Sequence, residues 1–127
     1  MTKFRVILPR GPKPILASYE LTAAELLKTY FESDIEFIER NNRKTPDFKI
    51  GDLYWELKSP TGKGKFNVQH QLKAAAKQSE NVIFDARRSK MHIVKIRGGI
   101  QHFLRHSKAI KRIILIEKTG KIVELLG

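Results

Sequence analysis

Apolar and polar positions alternate most clearly between residues 47 and 58. Phe48, Ile50, Leu53, Trp55 and Leu57 are apolar, while Asp47, Lys49, Tyr54, Glu56 and Lys58 are polar or charged at one end. A period of two marks a strand with one buried face. Gly51-Asp52 interrupts the pattern, and a glycine in the first position of a two-residue connection suits a type II′ turn. The stretch is therefore read as a β-hairpin. With Ile50 and Leu53 flanking the turn, Phe48 stands opposite Trp55 and Asp47 opposite Glu56.

Other segments change period. Leu21 to Ser33 has helical spacing, with Ala23, Ala24, Leu27, Tyr30 and Phe31 on one face. Thr22 and Glu25 make a capping-box pattern there, and Leu21 and Leu26 a hydrophobic staple. Val68, Leu72, Ala75, Ala76 and Ser79 form the stripe of a second helix, and Ile100 to Ile110 spaces as a third. Ile35 to Glu39, Val82 to Ala86, Ile113 to Ile116 and Ile122 to Leu126 read as strands, the last two joined at Thr119-Gly120. Phe4, Val6 and Leu8 alternate over a short strand before Pro9, Gly11, Pro12 and Pro14 break regular structure, so residues 1–17 are expected to be a loose arm. The order of helix, strand, hairpin, helix and strand predicts an α/β fold, a mixed central sheet flanked by helices. A length of 127 residues suits a single domain, 1–127, with its own core.

Composition narrows the function. Lys and Arg number 25 against 13 acids, a net charge of +12. That surplus points to a polyanion, nucleic acid before an acidic membrane. With no cysteine there is no disulfide framework and no thiolate zinc site. No apolar run approaches the ~18 residues of a membrane span, and the N-terminus lacks the apolar stretch of a signal peptide.

Inside this positive chain, the hairpin opposes two carboxylates. Like charges directly across a ladder are destabilising, so Asp47 and Glu56 need a reason to be there, and a divalent cation such as Mg²⁺ supplies one. Lys58 follows Glu56 on the same face. Pro46-Asp47, a short gap and then Glu56-Leu57-Lys58 resembles the PD-(D/E)XK nuclease signature. The run from Ile35-Glu36-Phe37-Ile38-Glu39-Arg40 through Glu56-Leu57-Lys58-Ser59-Pro60, together with Gln78 to Lys90, is similar to the C-terminal tRNA-nuclease domain of contact-dependent growth inhibition (CdiA) toxins. This likeness spans about Tyr19 to Val123.

The resemblance implies a restriction-endonuclease-like core and a metal-dependent endonuclease that hydrolyses RNA, tRNA first. Asp47 and Glu56 would hold Mg²⁺ or Mn²⁺, Lys58 would act beside them, and Glu20 would be the acid expected from the first helix if that helix begins at Ser18. It also implies an immunity protein as partner, and delivery as a secreted toxin module that acts in the cytoplasm. Lys63 and Lys65 in the glycine-containing loop, Gln71 on the second helix, and Arg87 and Arg88 at a strand end are the candidate nucleic-acid contacts. His92, His102 and His106 have no acidic partner at metal-site spacing and are read as basic surface. Two alternatives remain: a DNA endonuclease of the same superfamily, and a basic nucleic-acid-binding protein without catalysis. A pure binder gains nothing from acids inside a positive surface.

Overall fold

The computed structural model describes residues 3–9, 16–39 and 45–127. The polar turn expected at Arg40 to Lys44, and Gly11, Pro12 and Pro14 of the proline-rich stretch, lie outside these residues. Seven strands form a mixed sheet in the order in which they occur in the chain, accompanied by three helices. The chain divides into two compact units, Met1–Trp55 and Glu56–Gly127, so the boundary falls within the fourth strand.

In the first unit, β1 (Val6–Ile7) pairs parallel to β2 (Ile35–Phe37), which pairs antiparallel to β3 (Phe48–Ile50). The expected arm thus contains a paired strand: Ile35 N–H donates to the Arg5 carbonyl, and Arg5 N–H to the Asp34 carboxylate. β3 and β4 (Leu53–Lys58) pair antiparallel with Phe48 opposite Trp55, Lys49 opposite Tyr54 and Ile50 opposite Leu53, the register expected from the alternation. Gly51 at the turn has φ +59°, and Glu32 is the sole non-glycine with positive φ among the described residues. Asp52 therefore does not, which fits type II′ and not type I′.

Helix α1 (Ser18–Phe31) begins three residues before the expected start. The Thr22/Glu25 pattern is not its cap. Thr22 Oγ1 donates to the Ser18 carbonyl and Glu25 pairs with Lys28 at 2.7 Å. Ala17 is the N-cap and has no side-chain acceptor, so Glu20 reaches back and accepts from the Ala17 N–H at 3.1 Å. Ala23, Ala24 and Leu27 are buried, as are Ile35, Phe37, Phe48, Ile50 and Trp55 of the strands. Phe37 meets Phe48 edge-on at 4.8 Å, and Phe31 meets Trp55 at 5.7 Å.

In the second unit, Glu56, Leu57 and Lys58 of β4 pair parallel to β5 (Asn81–Asp85), β5 pairs parallel to β6 (Arg112–Ile116), and β6 pairs antiparallel to β7 (Ile122–Leu126). Helices α2 (Asn67–Ala76) and α3 (Ile93–His106) fill the two crossovers that parallel strands require. Val68, Leu72 and Ala75 of α2 join Ile96 and Ile100 of α3 and Val82, Phe84, Ile113 and Leu115 of the strands in one core. All five residues of β5 are buried, as expected for a parallel strand covered on both faces.

α3 begins seven residues before the stretch read from the sequence, and it carries two glycines. A Cβ at Gly98 would meet nothing within 4 Å, whereas one at Gly99 would lie 3.0 Å from both Cβ and Cγ1 of Val68. Val68 is a core residue whose Cβ cannot swing aside. Gly98→Ala is therefore expected to stabilise the chain by about 0.5–1 kcal/mol. Gly99→Ala, with the same gain in helix propensity, should lower stability through overpacking. Urea denaturation of the two variants side by side checks this, and an equal gain in both would show that α2 and α3 do not need the close approach.

Candidate functional site

The hairpin positions the first group. Pro46 and Asp47 precede β3, where the backbone is already pinned: Asp47 N–H donates to the Trp55 carbonyl and the Asp47 carbonyl accepts from Ile38 N–H, both at 3.0 Å. Asp47 itself is half-buried. On β4 the alternation sends Trp55 and Leu57 into apolar surroundings and Glu56 and Lys58 to the other face. Glu56 is buried, its side chain 9% exposed, with Lys58 Nζ 3.4 Å from Oε2. That exceeds the 2.7–2.9 Å typical of a charge-assisted hydrogen bond. The lysine neutralises the carboxylate without being locked to it.

The parallel pairing of β4 and β5 brings both strands to their carboxyl ends at one edge, where open α/β sheets carry their ligands. The loop of residues 59–66 leaves β4 there, and the turn of residues 86–92 leaves β5. Arg88 joins them, donating from Nε to Ser59 Oγ at 3.1 Å and from Nη2 to the Ser59 carbonyl at 2.7 Å. Lys63 and Lys65 are exposed in the first loop, and Lys65 Nζ lies 5.6 Å from the ring centre of Phe66. Gln71 is half-buried on α2, beside the core residue Leu72.

Arg87 is placed differently from its neighbour. Its Nε and Nη2 grip Asp85 in a fork, at 2.9 Å to Oδ1 and 2.7 Å to Oδ2, and its backbone N–H adds a third bond at 3.1 Å. Asp85 is fully buried. The arginine thus compensates a carboxylate inside the sheet. Sequence reading missed both Asp85 and Ser59. The available signal was Asp85-Ala86-Arg87, an acid and a base two residues apart at a strand end.

Glu20 is buried on α1 and occupied with the start of its own helix. Among the described residues, no three His, Cys, Asp or Glu side chains gather as a metal-binding group. Mg²⁺ usually keeps several waters and takes only one or two protein carboxylates, so a buried acid such as Glu56 would not need a full protein cage to serve that ion. The histidines have other tasks: His92 caps α3, its Nδ1 accepting from Val94 N–H at 3.2 Å, and the rings of His102 and His106 lie against each other, centres 4.3 Å apart and tilted by 37°. No described helix is long and apolar enough to cross a membrane.

Residues 44–122, well over half of the chain, match the family model of the contact-dependent growth inhibition CdiA C-terminal domain. No curated protein matches. Among solved structures, a chain of the CdiA-CT/CdiI toxin and immunity complex from Burkholderia pseudomallei is similar, with a TM-score of 0.68 and 17% identity over 98% of this chain and 99% of that one. At that identity the likeness is one of fold.

Proposed function

The chain belongs to the contact-dependent growth inhibition CdiA C-terminal domain family, and from that premise we propose that it is a toxin domain acting as a divalent-metal-dependent endonuclease on RNA, tRNA first. The observation that carries the activity is the Glu56–Lys58 pair: a nine-tenths buried carboxylate with a lysine two residues along the same strand and 3.4 Å away. With Pro46-Asp47 just before the preceding strand, the pair follows the PD-(D/E)XK pattern. Asp47 and Glu56 each lie one residue outside the cross-strand pair Phe48 and Trp55.

In this reading Asp47 and Glu56 would hold Mg²⁺ or Mn²⁺ with the Leu57 carbonyl as a further ligand, and Glu20, one oxygen of which accepts from the Ala17 N–H, would be the remaining acid. The bound ion supplies Lewis acidity and neutralises charge at the scissile phosphate. Lys58 turns its ammonium toward the negative charge that builds on the phosphate in the transition state. Lys63, Lys65, Gln71 and Arg88 contact the polyanion around that point, Arg88 while steadying Ser59 next to Lys58, whereas Arg87, the other arginine expected there, is committed to Asp85. An immunity protein that covers this edge would be the partner, and the cytoplasm of a target cell the place of action.

The test is a competition between deacylated tRNA and linear duplex DNA in Mg²⁺ or Mn²⁺, with Glu56→Gln as control. The expected result is cleaved tRNA, intact DNA and no cleavage by the control. Cleaved DNA with intact tRNA would move the chain to a DNA-cutting branch, and cleavage unaffected by Glu56→Gln would remove this site.

A further inference from the structure

The second unit contains a cavity of about 610 Å³ that the carboxylates do not line. Lys63 and Lys65 come to it from the loop after β4, and Lys95 from the first turn of α3. All three lysines are exposed, and among the described residues no carboxylate belongs to the lining. Three cations with no acid to answer them select an anion. The rest of the lining is different in kind. Val68 and Met91, both core residues, form its apolar floor, and Gly99 lines it where α3 passes close to Val68. Gln69 donates its Nε2 to the Gly99 carbonyl at 3.2 Å, which fixes the amide in the wall. The volume is within the range of small-molecule sites. Beside the cavity in sequence, Phe66 is 59% exposed with Lys65 over its ring. Basic groups interleaved with an exposed aromatic ring are the equipment of single-strand binding, where each stacked base contributes and every base has a flat face.

We propose that this cavity seats one unstacked nucleotide of a single-stranded RNA loop, its phosphate among Lys63, Lys65 and Lys95 and its base against Val68 and Met91, with the next base stacked on Phe66. The proposal rests on the RNA reading above and deepens it. RNA is read chiefly through loops whose bases can be splayed out, and this cavity gives such a base a place apart from the cleaved bond. Duplex DNA, its bases stacked inside, cannot use it.

The experiment measures binding of the full chain, in EDTA so that no metal-dependent cleavage occurs, to a fluorescent RNA stem–loop, to the same stem–loop with abasic loop positions, and to the fully paired stem. The intact loop is expected to bind about ten-fold more tightly than the abasic loop, the scale of one base–aromatic contact. Phe66→Ala should shrink that ratio, and Lys95→Glu should remove most of the affinity for the loop. Lys118→Glu, an exposed site in the turn after β6 with the same change in net charge, should change affinity less than two-fold. Equal binding of intact and abasic loops, or equal losses in Lys95→Glu and Lys118→Glu, would overturn the subsite and leave only general electrostatic attraction. The nuclease reading fails separately. A chain that cuts tRNA but shows neither difference loses the subsite alone, and one that shows both differences but cuts nothing keeps the subsite and loses the activity.

Discussion

Glu56→Gln and Lys58→Ala should each abolish measurable cleavage of tRNA and leave the melting temperature within a few degrees of wild type. Gln keeps the shape of Glu56 and removes the charge that would hold a cation. Lys58→Ala removes the ammonium that, in the proposed reading, would stand beside the scissile phosphate, and the loss of one such stabilising group costs about 10²–10³ in rate. Stability changes little for a geometric reason. Lys58 is 23% exposed and sits 3.4 Å from the carboxylate, so alanine admits water to the place the ammonium leaves. Trp55→Ala is the contrast on the same strand. Trp55 is 3% exposed and packs on Phe31, so its truncation should cost about 3–5 kcal/mol and lower the melting temperature by roughly 10–20 °C. Thermal unfolding and a gel assay of all three variants decide the matter. Drops in melting temperature in the site variants that match Trp55→Ala would make Glu56 and Lys58 structural residues.

The hairpin was legible because two local signals agree. The alternation sets the faces and Gly51-Asp52 sets the turn, so one register satisfies both. Where local signals disagree with packing, the sequence misleads. Thr22 and Glu25 have the spacing of a cap, yet α1 runs back to Ser18 because Glu20 can serve its first turn from inside. The sequence reads as a third helix only from Ile100, yet α3 starts at Ile93 and runs through Gly98-Gly99, where the missing Cβ of Gly99 lets it pass close to Val68. His92 starts that helix with a ring nitrogen in place of the usual hydroxyl or carboxylate acceptor.

The candidate site divides in the same way. Glu56 and Lys58 follow from alternation alone, since a period of two puts them on one face whatever the rest of the chain does. The cavity between the loop after β4 and helices α2 and α3 was invisible. Lys63, Val68, Met91 and Lys95 are scattered along the chain and meet only through the crossovers. β5 hides most, because a strand buried on both faces has no alternation from which Asp85 could be recognised as an interior acid.

Arg87→Ala is expected to be among the most destabilising single changes in the chain, by about 3–5 kcal/mol, because it strands an uncompensated carboxylate inside the sheet. Asp85 has no exposure at all, and its two oxygens are held by the Arg87 fork at 2.9 and 2.7 Å. Arg87→Lys should fare little better, since a single ammonium cannot reproduce two parallel N–H groups. Arg88→Ala, one residue on, loses two exposed hydrogen bonds to Ser59 and should cost closer to 1 kcal/mol. The adjacent arginines therefore separate by measurement. In thermal unfolding Arg87→Ala should fall by roughly 10–20 °C and Arg88→Ala by a few degrees. In RNA binding, measured below the transition of both, Arg88→Ala should show the larger loss, because its guanidinium lies at the surface and steadies the loop that carries Lys63 and Lys65. Replacing both members of the buried pair, Asp85→Asn with Arg87→Ala, should recover part of the stability lost by Arg87→Ala alone, since the stranded charge is then gone. No recovery in the double variant would mean that Arg87 acts through something other than Asp85, and would return it to the surface role its sequence suggests.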